Sequence, residues 1–322
     1  MTTLAHWVEM HRLAVAGREP VIARYVGTRV ARVWLRTSRF ADVETLATAT
    51  LTLGPDARAF YHLGWAYSAT GRPRPALDSF EQALRLYRAA NDHGNESATL
   101  SNIGLVYDGL GDRRQALAFY EQSLPIAREV GDRAGEAATL NNIGRLYAGL
   151  EDGRRALTFY EQALPILREV GDRAGEAATL NNIGGVYAGL GDRRRALTFY
   201  EQALPILREV GDRAGEAVTL SNIGLVYAGL GDRRRALTFY EQALPIARGV
   251  GDRAGEAVTR YNIAMIHRGE GRLGEAIGEL EVVVELDRQV GHPDLAVDAA
   301  MLERLRQERA AAQRTDPSPG QG

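Results

Sequence analysis

The sequence contains no lysine and no cysteine, and all 39 of its basic residues are arginine. The missing amine excludes a Walker-type phosphate loop and Schiff-base catalysis, because both need lysine itself. The missing thiol excludes disulfides, thiolate nucleophiles and cysteine-ligated zinc. Several common classes of enzyme and metal site are therefore ruled out before any motif is considered.

Long apolar runs are also missing. No stretch approaches the roughly 18 consecutive apolar residues of a membrane helix, and the first residues lack the basic region of a secretory signal. The 41 acidic residues give a net charge of −2, so no overall basic field is available to hold nucleic acid. We expect a cytoplasmic protein that binds neither membrane nor nucleic acid. Arginine without lysine is also the composition expected from the codons of a GC-rich bacterial genome.

A 40-residue period is the strongest pattern that is present. Four blocks open with the run GDRAGEA, at Gly131, Gly171, Gly211 and Gly251. The blocks 131–170 and 171–210 differ at only four of their 40 positions. Self-similarity at this period predicts an array of stacked structural units.

Each unit predicts two amphipathic helices. Apolar residues recur at spacings of three and four, first at Leu180, Ile183 and Tyr187, then at Ala196, Tyr200 and Ala203. Gly184 falls in mid-helix, where glycine costs up to about 1 kcal/mol relative to alanine. We therefore expect Gly184 to allow close contact with the partner helix, through Ala196 or Ala203.

The turn between the two helices has its own signals. Gly189 and Gly191 are expected to adopt positive φ, and Asp192 is expected to cap the second helix by accepting a backbone hydrogen bond. These signals place one helix before the turn and one after it. Each unit is thus predicted to be a helical hairpin.

The alternation of small and large residues resembles the tetratricopeptide repeat (TPR). The run L-x-x-I-G-x-x-Y followed by A-x-x-x-Y-x-x-A fits that family, and its helical glycines stand at Gly64, Gly104, Gly144, Gly184 and Gly224. A sixth unit is degenerate and carries Ala264 and His267 instead of the usual Gly and Tyr. The resemblance implies an all-α fold, a right-handed superhelical TPR solenoid of antiparallel helix pairs.

The resemblance covers residues 57–290 as six units. Residues 1–56 show apolar residues at helical spacing and are predicted to form an N-terminal helical cap, a degenerate helix pair. Residues 291–314 are rich in Ala, Leu, Glu and Arg, which predicts a C-terminal capping helix. Residues 315–322 are predicted to be a disordered tail.

Prolines fall inside the second helices of four units, at Pro125, Pro165, Pro205 and Pro245. A proline in a helix interior removes a hydrogen bond and costs about 3 kcal/mol. Ile206 and Leu207 nevertheless carry the apolar stripe onward past Pro205. We therefore expect a kinked but continuous helix at each proline.

No arrangement of residues favours catalysis. The six histidines are scattered without metal-ligand spacing, so neither a metal site nor a cofactor is predicted. Acidic residues recur in every unit, which favours helix caps and ion pairs over a general acid. Arginines cluster at the turns, as at Arg193 to Arg195, and stacking could align them into a basic ridge for phosphate or an acidic partner. Five arginines balance five acids in residues 171–210, which favours a self-paired surface.

A row of polar residues marks the first helices. Two residues before the helical Gly, or the Ala that replaces it, stand Asn102, Asn142, Asn182, Asn222 and Asn262. Stacked units would bring them together along the concave groove, where an amide can bond a peptide backbone whatever its side chains. The predicted groove also includes the neighbours Asn141 and Asn181, the variable residues Leu105, Arg145 and Leu225, and Tyr61 and Trp65 at the equivalent places of the first unit.

The run LNNIG also resembles the 40-residue repeats of kinesin light chains and of spindle-orientation adaptors. In those families the matching asparagine contacts bound peptide, so the resemblance implies this role for Asn142 and its counterparts. The alternative is that the asparagines tie neighbouring first helices together. We predict a non-enzymatic adaptor that binds a peptide segment of an unknown partner protein. The second interpretation is a regulatory sensor module, detached or truncated from an ATPase-linked bacterial signalling protein.

Overall fold

The computed structural model describes residues 3–315. Within them, sixteen helices follow one another and no strand occurs. They are α1 (Leu4–Ala16), α2 (Pro20–Arg36), α3 (Phe40–Leu51), α4 (Ala57–Ala69), α5 (Pro73–Ala89), α6 (His93–Gly109), α7 (Arg113–Glu129), α8 (Arg133–Gly149), α9 (Gly153–Val170), α10 (Arg173–Gly189), α11 (Arg193–Val210), α12 (Arg213–Gly229), α13 (Arg233–Val250), α14 (Arg253–Gly269), α15 (Leu273–Val290) and α16 (Leu295–Thr315). No helix in this part of the chain is both long and apolar enough to span a membrane. Residues 316–322 of the predicted tail lie outside the described residues.

Glycine and aspartate set the ends of the repeat helices. Gly191 has φ 81° after α10, and Asp192 accepts a hydrogen bond from the backbone N of Arg195 at 3.1 Å, which caps α11. Both roles are as predicted. The positive φ predicted for Gly189 is wrong, because this residue is the last of α10 and stays helical. Only the second glycine of the turn needs the left-handed conformation.

The close contact at Gly184 is with an aromatic ring. A Cβ at Gly184 would lie 2.7 Å from Cδ1 of Tyr200, which is buried on the partner helix α11. The predicted contact through Ala196 or Ala203 is therefore wrong, although both alanines are buried in the same helix. The same pairing recurs at Gly104 and Tyr120, Gly144 and Tyr160, and Gly224 and Tyr240. Glycine is needed here because the ring takes the space of its side chain.

Each helix with an internal proline is continuous. Helix α11 continues through Pro205 to Val210, and Ile206 and Leu207 beyond the proline are buried. Helices α7, α9 and α13 contain their prolines in the same way. The apolar stripe that passes the proline packs in the core, and its burial offsets the lost hydrogen bond.

The chain forms two compact units, divided after Ile166. In the first, α1–α4 surround a core built from Val26, Val30, Trp34, Val43 and Leu46. In the second, α14–α16 surround a core built from Leu280, Val283, Leu302 and Leu305. Helices outside the near-identical repeats thus cover the first and last repeats of the described chain.

Candidate functional site

The five predicted asparagines occupy one position on five first helices, α6, α8, α10, α12 and α14, and each is half-buried. Nδ2 of Asn102 donates to the hydroxyl of Tyr61 on α4 at 2.8 Å. The side chains of Asn142, Asn182, Asn222 and Asn262 make no hydrogen bond within residues 3–315. Four partly exposed amides therefore keep their donors and acceptors available.

A separate column of residues ties neighbouring first helices together. It consists of the residue before each asparagine and a threonine of the next helix: Thr139 with Ser101 (3.3 Å), Thr219 with Asn181 (3.0 Å) and Thr259 with Ser221 (3.2 Å). Asn181 is thus engaged between α10 and α12. Oδ1 of Asn141 is buried and has no hydrogen-bond partner among the described residues. Among α10, α12 and α14, the hydrogen bonds between first helices are made by this column, one residue away from the asparagine row. Asn102 differs from the other asparagines, because it makes such a tie itself, to α4.

One turn further along, the same helix face carries different residues in different units. Leu105 and Leu225 are exposed, Leu225 by 54%. Arg145 is also exposed, but its guanidinium pairs with Asp108 at 2.8 Å. At this position the first helix therefore exposes a leucine in two units and an ion-paired arginine in another.

Two further residues of this face, Val218 and Val258, were not predicted. Both are exposed, and each lies one turn before the asparagine of its helix. The sequence contains a signal for them. Blocks 171–210 and 211–250 differ at five positions, and three of these, 178/218, 181/221 and 185/225, lie on this face. Three of the five differences between these two repeats thus lie on the first helix, two of them at exposed positions.

The carboxylates that recur in every unit are structural. Glu176 is 4% exposed and accepts hydrogen bonds from Nε of Arg168 at 2.7 Å and from Nη1 of Arg173. Glu136 and Glu216 have the matching partners, one arginine in the preceding unit and one in their own. At the turns, Nε of Arg195 lies 3.3 Å from Asp192. The predicted pairing is present for these groups. Arg193 and Arg194 of the same turn make no ion pair among the described residues.

Tyr61 and Trp65 line a cavity of about 690 Å³ in the first unit, together with residues of α2, α5 and α6. Arg32 and Arg36 of α2 and Arg58 of α4 also line it. These arginines were not predicted from the sequence. The signal for Arg32 and Arg36 is the stretch 20–41, which has five arginines and no acid.

A buried histidine lies at this cavity. His62 is 7% exposed, and burial lowers the pKa of its imidazole to about 4, with smaller contributions from Arg32 and Arg58. The imidazole is therefore neutral at pH 7. It is a polar group that adds no positive charge to the arginines.

Models of the tetratricopeptide repeat match residues 57–89 and 99–134, and overlapping copies match residues 135–209, 175–249 and 215–289. Together they span most of the chain. Comparison with curated proteins gives no match.

Solved structures share the fold at low sequence identity. BtubC (BKLC) from P. vanneervenii is 24% identical, with a TM-score of 0.55, over 75% of this chain and 92% of that one. The nearly identical TPR-like repeats of a kinesin light chain from Podosopora anserina are 18% identical, with a TM-score of 0.51, over 61% and 96%. A signal transduction ATPase with a tetratricopeptide repeat sensor, PH0952 from Pyrococcus horikoshii, is 13% identical, with a TM-score of 0.66, over 96% and 54%. The present chain spans about half of that last protein.

The repeat matches, the helix pairs and the recurring contact of glycine with an aromatic ring agree with one another. The chain belongs to the tetratricopeptide repeat family and is an all-α solenoid.

Proposed function

We propose that this protein is an adaptor that binds a peptide segment of another protein on the exposed face of its first helices. The observation that carries the proposal is the contrast between two adjacent columns. Among α10, α12 and α14, the residues before the asparagines make the hydrogen bonds between helices, whereas the amides of Asn182, Asn222 and Asn262 are half-buried and unbonded within the described chain. A free amide held in place by a helix is well suited to bond a backbone N–H and C=O.

The second compact unit, from Leu167 onward, provides a complete example of such a surface. Its asparagine row is flanked by the exposed apolar side chains of Val218, Leu225 and Val258. Backbone bonds to the amides would fix the register of a peptide, and contacts with these side chains would select its sequence. No chemistry is required of the surface, in line with a repeat fold that is generally non-catalytic.

The test begins by selecting ligands for the intact chain from a displayed library of short random peptides. The affinity of a selected peptide is then compared for the parent and for the triple variant Asn182→Ala, Asn222→Ala, Asn262→Ala. Each lost hydrogen bond contributes about 0.5–1.5 kcal/mol, so the triple variant should bind at least about tenfold more weakly. Its urea midpoint should barely change, because these amides bond nothing within the chain.

Thr219→Val is the matched control. It removes the bond from Oγ1 of Thr219 to Asn181 but leaves the asparagine row intact. It should lower stability by about 1 kcal/mol and leave the affinity of the folded protein unchanged. If the triple variant lost stability and kept its affinity, the asparagines would be structural and the proposed surface would be wrong.

A second candidate function is a sensor module that works as part of a larger signalling protein. The likeness to the tetratricopeptide repeat sensor of the ATPase from Pyrococcus horikoshii supports it at the level of fold. The DNA upstream of the codon for Met1 distinguishes the two. An open frame that encodes a phosphate-binding ATPase domain would favour the sensor, and a separate gene would favour the adaptor.

A further inference from the structure

Helix α2 has a one-sided charge. Its four arginines, Arg24, Arg29, Arg32 and Arg36, are accompanied by no acidic residue. Arg24 lies 3.6 Å from the carboxylate of Asp56. The guanidinium of Arg29 lies over the rings of Trp7 and Tyr25, at 5.4 and 4.7 Å from their centres. Arg32 and Arg36 are exposed and make no ion pair within residues 3–315.

These two arginines face the same cavity as a third. Arg58, at the start of α4, lines the 690 Å³ cavity with them and has no ion pair in the described chain either. None of the described residues that line the cavity carries a carboxylate. The acids close to it in sequence are engaged elsewhere: Asp56 caps α4 through the backbone N of Ala59 at 2.8 Å, and Asp92 bonds the side-chain amide of Asn95 at 2.8 Å.

Besides Thr28, Leu35 and Asn95, the rest of the cavity wall is aromatic. Tyr61, Trp65 and Tyr87 line it beside the neutral imidazole of His62. Guanidinium groups bind carboxylates through two parallel hydrogen bonds, and aromatic rings take up apolar side chains. A cavity of this volume admits more than a single small anion. It therefore suits a ligand that carries several carboxylates beside apolar groups.

We propose that this cavity binds an acidic stretch of the partner peptide, with carboxylates on Arg32, Arg36 and Arg58 and an adjacent apolar side chain against Trp65. The inference rests on the proposed function and names the chemistry of the partner. Within the first compact unit, Tyr61 links the cavity to Asn102, because its hydroxyl accepts the hydrogen bond from the Asn102 amide. Nucleic acid is disfavoured as the ligand, since the chain has a net charge of −2 and no overall basic field.

The test uses the intact chain and the same displayed peptides. Peptides selected by the parent should be enriched in Asp and Glu next to an aromatic or aliphatic residue, and their affinity should fall as salt is added. The double variant Arg32→Gln, Arg36→Gln should bind them at least about tenfold more weakly. Arg74→Gln, Arg85→Gln on α5 is the matched control. It removes the same charge from exposed arginines that do not line the cavity, and it should bind like the parent.

The outcomes separate this inference from the proposed function. If peptides are selected but show no acidic enrichment, and both double variants bind them equally, the cavity proposal is overturned and the adaptor stands. If the parent selects no peptide at all, both are overturned. Competition by inorganic phosphate alone, with no binding of acidic peptides, would make the cavity a small-anion site and also overturn the proposal. Equal melting temperatures of parent and variants show that the folded protein is being compared.

Discussion

The pairing of charged side chains differs between the central repeats and the segments at either end of the chain. In a central repeat each buried carboxylate has its arginines: Glu176 bonds Arg168 and Arg173. Near the start of the chain, Arg32 has no ion pair among the described residues. Near the end, Asp287 is 1% exposed and its Oδ2 has no hydrogen-bond partner in the described chain. The buried carboxylates of the repeats are thus paired with arginine, whereas buried Asp287, outside the near-identical repeats, has no arginine partner among the described residues.

Duplication explains this difference. Each copied unit carries the same glutamate and arginine positions, so every new repeat recreates the pairing of its buried glutamate with one arginine of its own and one of the preceding unit. The helices that cover the first and last repeats were not copied in this way, and their charges are free to serve another purpose. New recognition can be gained there without disturbing the packing of the stack.

Central and last units also differ where the two helices of a unit cross. A substitution at this crossing gives the largest expected change in stability. In the central unit, Gly184 faces the ring of Tyr200, whereas in the last unit Ala264 packs in one core with Leu280 at the equivalent place. Alanine in the last unit therefore does not show that alanine is tolerated in the others. Gly184→Ala should cost about 1–3 kcal/mol, because its Cβ would lie 2.7 Å from the ring. The urea midpoint measures this loss.

Two further variants sharpen that result. Gly189→Ala, at a helical position with open space around it, should instead stabilise the protein by about 0.5–1 kcal/mol. Adding Tyr200→Leu to Gly184→Ala should recover part of the loss by recreating the pairing of the last unit. A Gly184→Ala variant as stable as Gly189→Ala would show that the helix crossing relaxes at little cost.

The fold could be predicted from the sequence because the repeat period and the glycine, tyrosine and alanine register are local properties. The partner of Gly184 could not. Whether it meets Ala196, Ala203 or Tyr200 depends on the angle and offset of two helices, which spacing along each helix does not determine.

The candidate site was predictable only in part. The register of the repeats identifies the asparagines, Tyr61 and Trp65, because each has counterparts one period away. Arg32 and Arg36 have no such counterparts, and they reach Arg58 only through the packing of α2 beside α4. The excess of arginine in residues 20–41 was visible, but its location beside aromatic residues was not.

Acid should destabilise the first repeat unit, because the buried imidazole of His62 is difficult to protonate in the folded chain. The pKa of this imidazole is lowered to about 4 by burial and by Arg32 and Arg58, from an ordinary 6.5. Below about pH 6.5 this histidine is protonated in the unfolded chain but stays neutral in the folded chain. The free energy of unfolding therefore decreases as the pH falls from 6.5 towards 4. By pH 5 the loss should reach about 2 kcal/mol. His62→Gln should not show it.

Hydrogen exchange of the α4 amides at pH 7 and pH 5 measures this loss locally. Comparing parent and variant at each pH cancels the titration of all other groups. The acid-induced loss of protection should be larger in the parent. Parallel losses in the two proteins would mean that the folded state accommodates the charged imidazole.

Acid should have the opposite and smaller effect on the last helix pair, through Asp298 of α16. Burial, followed by Asp287 and Asp294, raises the pKa of Asp298 to about 6 from 3.8, and His292 opposes the shift. The folded chain therefore holds this proton at pH values where the unfolded chain has lost it, and the contribution to stability rises as the pH falls through 6.

Asp298→Asn should stabilise the protein by about 1 kcal/mol at pH 7, discounted for the partial exposure of the group, and by less at pH 5. Glu303→Gln, an equal charge change at an exposed position of the same helix, should stay within about 0.5 kcal/mol of the parent at both pH values. Hydrogen exchange in α15 and α16 makes the measurement. If Asp298→Asn were only as stable as the parent at pH 7, solvent would already stabilise the ionised carboxylate of Asp298. The charge of this group would then not destabilise the last helix pair.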